Sequence, residues 1–114
     1  MLQILHNSRC RKSRDCCAFI DKNGIEFEVI NYLENPLNSD QIKALIIKLK
    51  IKPLELIRQK EITWIENYKD KTLTNSQIIN ALIKHPILMQ RPIIIDGERA
   101  IIGRDLTLIE QFIT

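Results

Sequence analysis

The sequence predicts an α/β fold built on a four-stranded mixed sheet. Three observations carry this reading. A strand–helix–strand pattern opens the chain, a strand–strand–helix pattern closes it, and the residues between them read as helices. Two strands joined through a helix run parallel with a right-handed crossover. Two strands joined by a tight Gly turn run antiparallel. One sheet containing both pairs is therefore mixed.

The elements follow in order. Leu2 to Leu5 is a short apolar run ending at His6 and suits a buried strand. A turn over Asn7-Ser8-Arg9-Cys10 leads into a helix from about Arg11 to Asn23. Cys16, Cys17, Phe19 and Ile20 form its apolar stripe, and Gly24 stops it. Ile25, Phe27 and Val29 alternate with Glu26 and Glu28, which predicts a second strand. After Pro36, Asn38 and Gln41 have capping-box spacing ahead of Ile42, Leu45, Ile46 and Leu49. Residues 51–71 are less regular and read as short helices. Thr74 and Gln77 form a second capping box before Ile78, Ile79, Leu82 and Ile83, and Pro86 closes that helix. Ile93 to Ile95 is a strand, Asp96-Gly97 a hairpin turn, and Ala100 to Ile102 the return strand. Asp105 caps a last helix carrying Leu106, Leu108, Ile109, Phe112 and Ile113. A βαβ unit followed by ββα is the thioredoxin-like arrangement. Here it holds a helical insert over roughly residues 38–86, all within a single domain of residues 1–114.

Composition narrows the function. The 114 residues are 45% hydrophobic and 27% charged, the balance of one globular domain with a real core. A net charge of +3 is too small to argue for nucleic acid, which calls for a concentrated basic face. No apolar run approaches a membrane span, and the N-terminus turns polar too early for a secretory signal. The three cysteines, Cys10, Cys16 and Cys17, are odd in number and clustered, a poor disulfide framework. They also lack zinc-ligand spacing, so no metal site is expected. A cytoplasmic protein with reduced thiols is the expectation.

Cys10 is the candidate nucleophile. It stands between a buried strand and a helix, beside the free N–H groups of the first helical turn. Those donors and the helix dipole favour thiolate over thiol. Arg9, Arg11, Lys12 and Arg14 push the same way, and His6 and Ser13 could add hydrogen bonds to the sulfur. A structural cysteine at a tight turn is the bland alternative, but inert cysteines rarely have such basic neighbours. His6 either assists the sulfur or simply ends the strand. Cys16 and Cys17 fall about 9–10 Å further along an intact helix, beyond disulfide reach. Both read as packing residues. Ser13 occupies the position of a second thiol in a C-x-x-C pair, so a partner thiol must come from another molecule.

His6-Asn7-Ser8-Arg9-Cys10-Arg11-Lys12-Ser13-Arg14 resembles the H-N-P-x-C-x-x-S-R signature of the glutaredoxin-coupled, glutathione-dependent arsenate reductases, the ArsC-like family. Tyr32-Leu33-Glu34-Asn35-Pro36, Leu56-Ile57-Arg58-Gln59-Lys60, and His85-Pro86-Ile87-Leu88-Met89-Gln90-Arg91-Pro92-Ile93 are similar to further family segments in the same order. Ile102-Gly103-Arg104 follows them. Ser8 departs from the family, which usually has Pro there. Its loss frees the backbone before the nucleophile.

The resemblance implies a thioredoxin-like fold and a division of labour. Cys10 attacks arsenate, with His6 and Ser13 assisting the thiolate. Arg58, Arg91 and Arg104 hold the oxyanion, and Pro92 is a cis-proline facing the site. No bound cofactor is implied. Glutathione serves as co-substrate, glutaredoxin completes the cycle as partner, and arsenite is the product. A monomer is expected. Guanidinium groups suit this task because they bind oxyanions through paired hydrogen bonds. Two alternatives remain open at this level: a glutathione-linked thiol reductase acting on another substrate, and a transcriptional regulator of the same fold that binds RNA polymerase.

Overall fold

The computed structural model describes residues 1–114. The chain divides into two compact units, residues 1–35 with 91–114, and residues 36–90.

The first unit holds the sheet. Its strands are β1 (Leu2–Leu5), β2 (Phe27–Ile30), β3 (Ile93–Asp96) and β4 (Arg99–Ile102), in the order β2-β1-β3-β4. β1 pairs parallel with β2 and antiparallel with β3, and β3 pairs antiparallel with β4. The mixed sheet and the thioredoxin-like arrangement are as expected. Two helices of this unit, α1 (Arg11–Lys22) and the C-terminal helix Leu106–Ile113, share a core with it. Leu2, Ile4 and Ile94 from the sheet meet Cys16, Ile20, Ile109 and Phe112 from the helices. Cys16 is therefore a core residue, as its place in the apolar stripe predicts.

Local chemistry sets the boundaries. Gly24 takes a φ of +72°, and its N–H donates to the Asp21 carbonyl at 3.0 Å, which ends α1. Asp105 accepts from the Leu108 N–H at 2.9 Å and starts the last helix. Two differences from expectation appear. The hairpin turn is Gly97-Glu98, because Asp96 pairs with Arg99 and so belongs to β3. Gly97 still supplies the positive φ, at +62°. The second strand begins at Phe27, two residues later than its alternation suggests, and Val29 is exposed. β2 lies at the sheet edge, where one partner strand leaves less to bury the side chain.

The second unit is helical. It comprises α2 (Ser39–Leu49), a 3-10 turn at Pro53–Leu56, α3 (Ile62–Asn67), α4 (Asn75–Lys84) and a 3-10 turn at Pro86–Leu88. The C-terminal helix Leu106–Ile113 is α5. Both predicted capping boxes form. Asn38 Oδ1 accepts from Gln41 N–H at 2.9 Å, and Thr74 Oγ1 accepts from Gln77 N–H at 3.2 Å. α2 buries Ile42, Leu45 and Ile46, and α4 buries Ile78, Ile79, Ala81 and Leu82. Trp64 stacks on Tyr68 with ring centroids 5.3 Å apart. No helix of the protein is long and apolar enough to cross a membrane.

Candidate active site

Cys10 is the N-cap residue of α1, with extended backbone angles of φ −94° and ψ 122°. Its N–H donates to the Asn7 carbonyl at 3.0 Å, closing the turn between β1 and α1. Asn7 itself is 2% exposed. Its side-chain oxygen accepts from Arg9 N–H at 3.0 Å, and its own N–H donates to Ser13 Oγ at 3.4 Å. Arg14 Nη1 donates to the Ser8 carbonyl at 2.9 Å. The loop thus has several ties that do not need a proline at position 8. Asn7 was not singled out by sequence reasoning, although an Asx residue at the start of a tight loop is a legible signal.

The sulfur sees opposing influences. Burial raises the Cys10 pKa. The Ser13 N–H, the Arg91 side chain, the Lys12 N–H and the Arg91 charge lower it, and together they prevail. The net pKa lies below the ordinary thiol value. Both helix-start groups act on the sulfur through their backbone N–H. Ser13 therefore contributes its backbone N–H to the sulfur. Its hydroxyl, 0% exposed, ties α1 to the loop instead.

Arg91 is brought to Cys10 from the far end of the sequence. It precedes Pro92, which is buried and joined to it by a cis peptide bond, as the family resemblance implies. The Pro92 carbonyl accepts from Gly103 N–H at 2.8 Å. A Cβ on Gly103 would lie 3.1 Å from Pro92 Cγ and 3.3 Å from two Ile109 carbons. Glycine at 103 is thus what lets the Arg104 segment approach the Arg91 segment. Arg104 is exposed and lines a shallow cleft with Lys12, Asp15 and Asp105.

Two expected site residues have other partners. His6 is anchored by its N–H, which donates to the Ile30 carbonyl at 3.0 Å. Its Nδ1 lies 3.7 Å from Cys17 Sγ, and His6 is not among the groups that act on the Cys10 sulfur. Arg58 belongs to the helical unit. Its N–H donates to the Leu88 carbonyl at 2.7 Å, and its guanidinium forms an ion pair with Glu61. Glu61 was not legible as a partner, because an i,i+3 pair is only recognisable once the turn connecting it is known.

The other two thiols differ from Cys10. Burial pushes Cys16 up to about 12, with the neighbouring Cys17 adding to it. Burial also raises Cys17. All three cysteines are free. Cys10 is thus the cysteine whose pKa is lowered, while burial raises the other two.

The chain has clear relatives. A model of the ArsC family matches residues 5–112. The uncharacterized protein YfgD of Escherichia coli K12 is 39% identical over 105 residues, covering 90% of this chain and 88% of that protein. An arsenate reductase of Neisseria meningitidis is 33% identical over 111 residues, covering 96% and 95%. Among solved structures, an arsenate reductase from Vibrio cholerae superposes with a TM-score of 0.90 at 31% identity, covering 96% of this chain and 95% of that one.

Proposed function

This chain belongs to the ArsC family, and from that premise we propose that it is an arsenate reductase whose nucleophile is Cys10. The observation that carries the reading is the setting of that sulfur: an N-cap cysteine whose pKa is lowered by helix-start N–H groups and by Arg91. A thiolate at neutral pH is what attack on an oxyanion requires.

In the proposed cycle the Cys10 thiolate displaces an oxygen of arsenate, which leaves as water after protonation. The sulfur–arsenic bond then holds arsenic in its pentavalent state. A glutathione thiol adds to the adduct with loss of a second water. Thiols supply two electrons, so the net reaction turns one arsenate and two thiols into arsenite, one disulfide and water. Glutaredoxin's thiol takes the glutathione sulfur from arsenic as a mixed disulfide, which reduces arsenic to the trivalent state, and one water then hydrolyses the Cys10–arsenic bond, freeing arsenite and the thiol. Arg91 and Arg104 hold the oxyanion charge, and the family resemblance implies the same task for Arg58. Pro92 presents its ring to the site beside Arg91. The reading goes with a reduced glutathione pool such as the cytoplasm holds, and with a monomer as the working unit. The arsenate reductase relatives favour this reading over a polymerase-binding regulator.

The test is arsenate-dependent NADPH consumption with glutathione, glutaredoxin and glutathione reductase. Activity is expected in the wild type and absent in Cys10→Ser. A folded wild type that consumes no NADPH with arsenate would reject the substrate. Full activity in Cys10→Ser would reject the nucleophile.

A further inference from the structure

Cys17 has no part in the cycle above, yet it touches His6, and that contact assigns it a role. We propose that Cys17 is a positioning residue for His6. Its thiol donates a hydrogen bond to His6 Nδ1 and so holds the imidazole as the neutral tautomer with the proton on Nε2.

The geometry comes first. The His6 backbone is tied to β2 through its N–H, so the ring starts from a fixed point at the end of β1. Cys17 lies on the second turn of α1 and sets its sulfur 3.7 Å from Nδ1. That distance is within reach of a sulfur hydrogen bond, which is longer than one between first-row atoms. The contact is part-buried, so water competes poorly for it.

Proton positions follow from electrostatics. Burial raises the Cys17 pKa, so the sulfur carries a proton at neutral pH. Burial, and then the charge of Arg14, lower the His6 pKa, so the ring is neutral. Cys17 touches the ring and Arg14 acts on it through its positive charge, and neither supplies a negative charge that would favour imidazolium. A neutral imidazole has one donor nitrogen and one acceptor. A thiol can donate S–H, whereas its sulfur accepts only weakly. The productive pairing is therefore S–H to Nδ1, which leaves the proton on Nε2.

This gives Cys17 a function other than resolving thiol. A thiol whose pKa burial raises keeps its proton and is a poor nucleophile. The ring, in turn, presents one fixed donor, Nε2–H, to any anionic group that approaches its other edge. Resting on the arsenate reductase reading, that donor serves the anionic species of the reaction without changing the net charge of the site.

The experiment separates the two claims. The chain has two histidines, His6 and His85. In 15N-labelled protein at neutral pH, a long-range proton–nitrogen correlation spectrum distinguishes the tautomers, and His85→Gln assigns the His6 signals. The wild type should show the Nε2–H pattern. Cys17→Val, which keeps the bulk and removes the donor, should move His6 towards a mixture of tautomers. Cys17→Ser, which restores a donor, should bring the Nε2–H pattern back. An Nδ1–H pattern or an imidazolium in the wild type would overturn the proposal, as would an unchanged tautomer in Cys17→Val. Turnover tests the consequence. kcat/KM for arsenate should fall about 3–10-fold in Cys17→Val, the scale of one neutral hydrogen bond, and recover in Cys17→Ser. A shifted tautomer with unchanged kcat/KM would refute that consequence. A wild type with the expected tautomer and no arsenate turnover would instead reject the arsenate reading and leave the pairing intact.

Discussion

Replacing Gly103 with alanine tests whether close approach, and not backbone freedom, is why glycine stands there. The φ of Gly103 is not positive, so alanine meets no conformational penalty. Space is the issue. The new methyl carbon would lie 3.1 Å from Pro92 Cγ and 3.3 Å from Ile109 Cγ1 and Cδ1. Comfortable carbon–carbon contacts are about 3.5–4.0 Å. Neither neighbour yields easily. Pro92 Cγ belongs to a ring, and the Gly103 N–H to Pro92 carbonyl bond of 2.8 Å holds the two backbones together. Ile109 is 1% exposed within the core cluster, so turning it away would open a gap elsewhere. Overpacking of this kind costs about 1–3 kcal/mol. Loss of glycine entropy from the unfolded chain returns about 0.4–1 kcal/mol. The net expectation is a loss of about 1–2 kcal/mol, or a melting temperature lower by about 4–10 °C for a chain of this size. Urea and thermal unfolding of Gly103→Ala against wild type measure it. An unchanged or higher midpoint would refute the steric argument.

Further outcomes follow from the same structure. Arg91→Gln should raise the Cys10 pKa, because it removes both the guanidinium contact and its charge. The pH profile of iodoacetamide alkylation should move to higher pH, and superimposable profiles would count against the contact. Cys16 has a folded pKa of about 12 against an ordinary 9.0, so the folded state keeps a proton that the unfolded state loses. Its contribution to stability is complete below pH 9.0 and declines as pH rises towards about 12. Cys16→Val should make alkaline unfolding less steep, and an identical slope would show that other groups dominate. Asn38→Ala and Thr74→Ala should each cost about 1 kcal/mol by removing a capping box from α2 or α4. Chemical denaturation reads this directly, and a change within error in both variants would contradict the capping geometry.

Much of the fold was legible because its signals are local. Leu2–Leu5 announces itself by an apolar run, the two capping boxes by residues three apart, and the ends of α1 and α5 by Gly24 and Asp105. Where the reading slipped, the deciding interaction was not local. The hairpin turn moved one residue because pairing across β3 and β4 draws Asp96 into the ladder opposite Arg99. Val29 is exposed because β2 is an edge strand, and edge position belongs to the sheet as a whole.

The candidate site divides the same way. The sequence by itself determined that Cys10 stands at a strand-to-helix turn, that the free N–H groups of the first helical turn lie beside it, and that Cys16 belongs to a core. Each of these depends on residues within a few positions of one another, where backbone geometry leaves few options. Only the tertiary structure decided that Arg91 reaches the Cys10 sulfur, that Gly103 packs on Pro92, and that His6 turns to Cys17. Those contacts join different elements of the fold, and Arg91 and Cys10 come from opposite ends of the chain. Their geometry comes from sheet order and helix packing, which sum many weak interactions and leave no mark at any single residue.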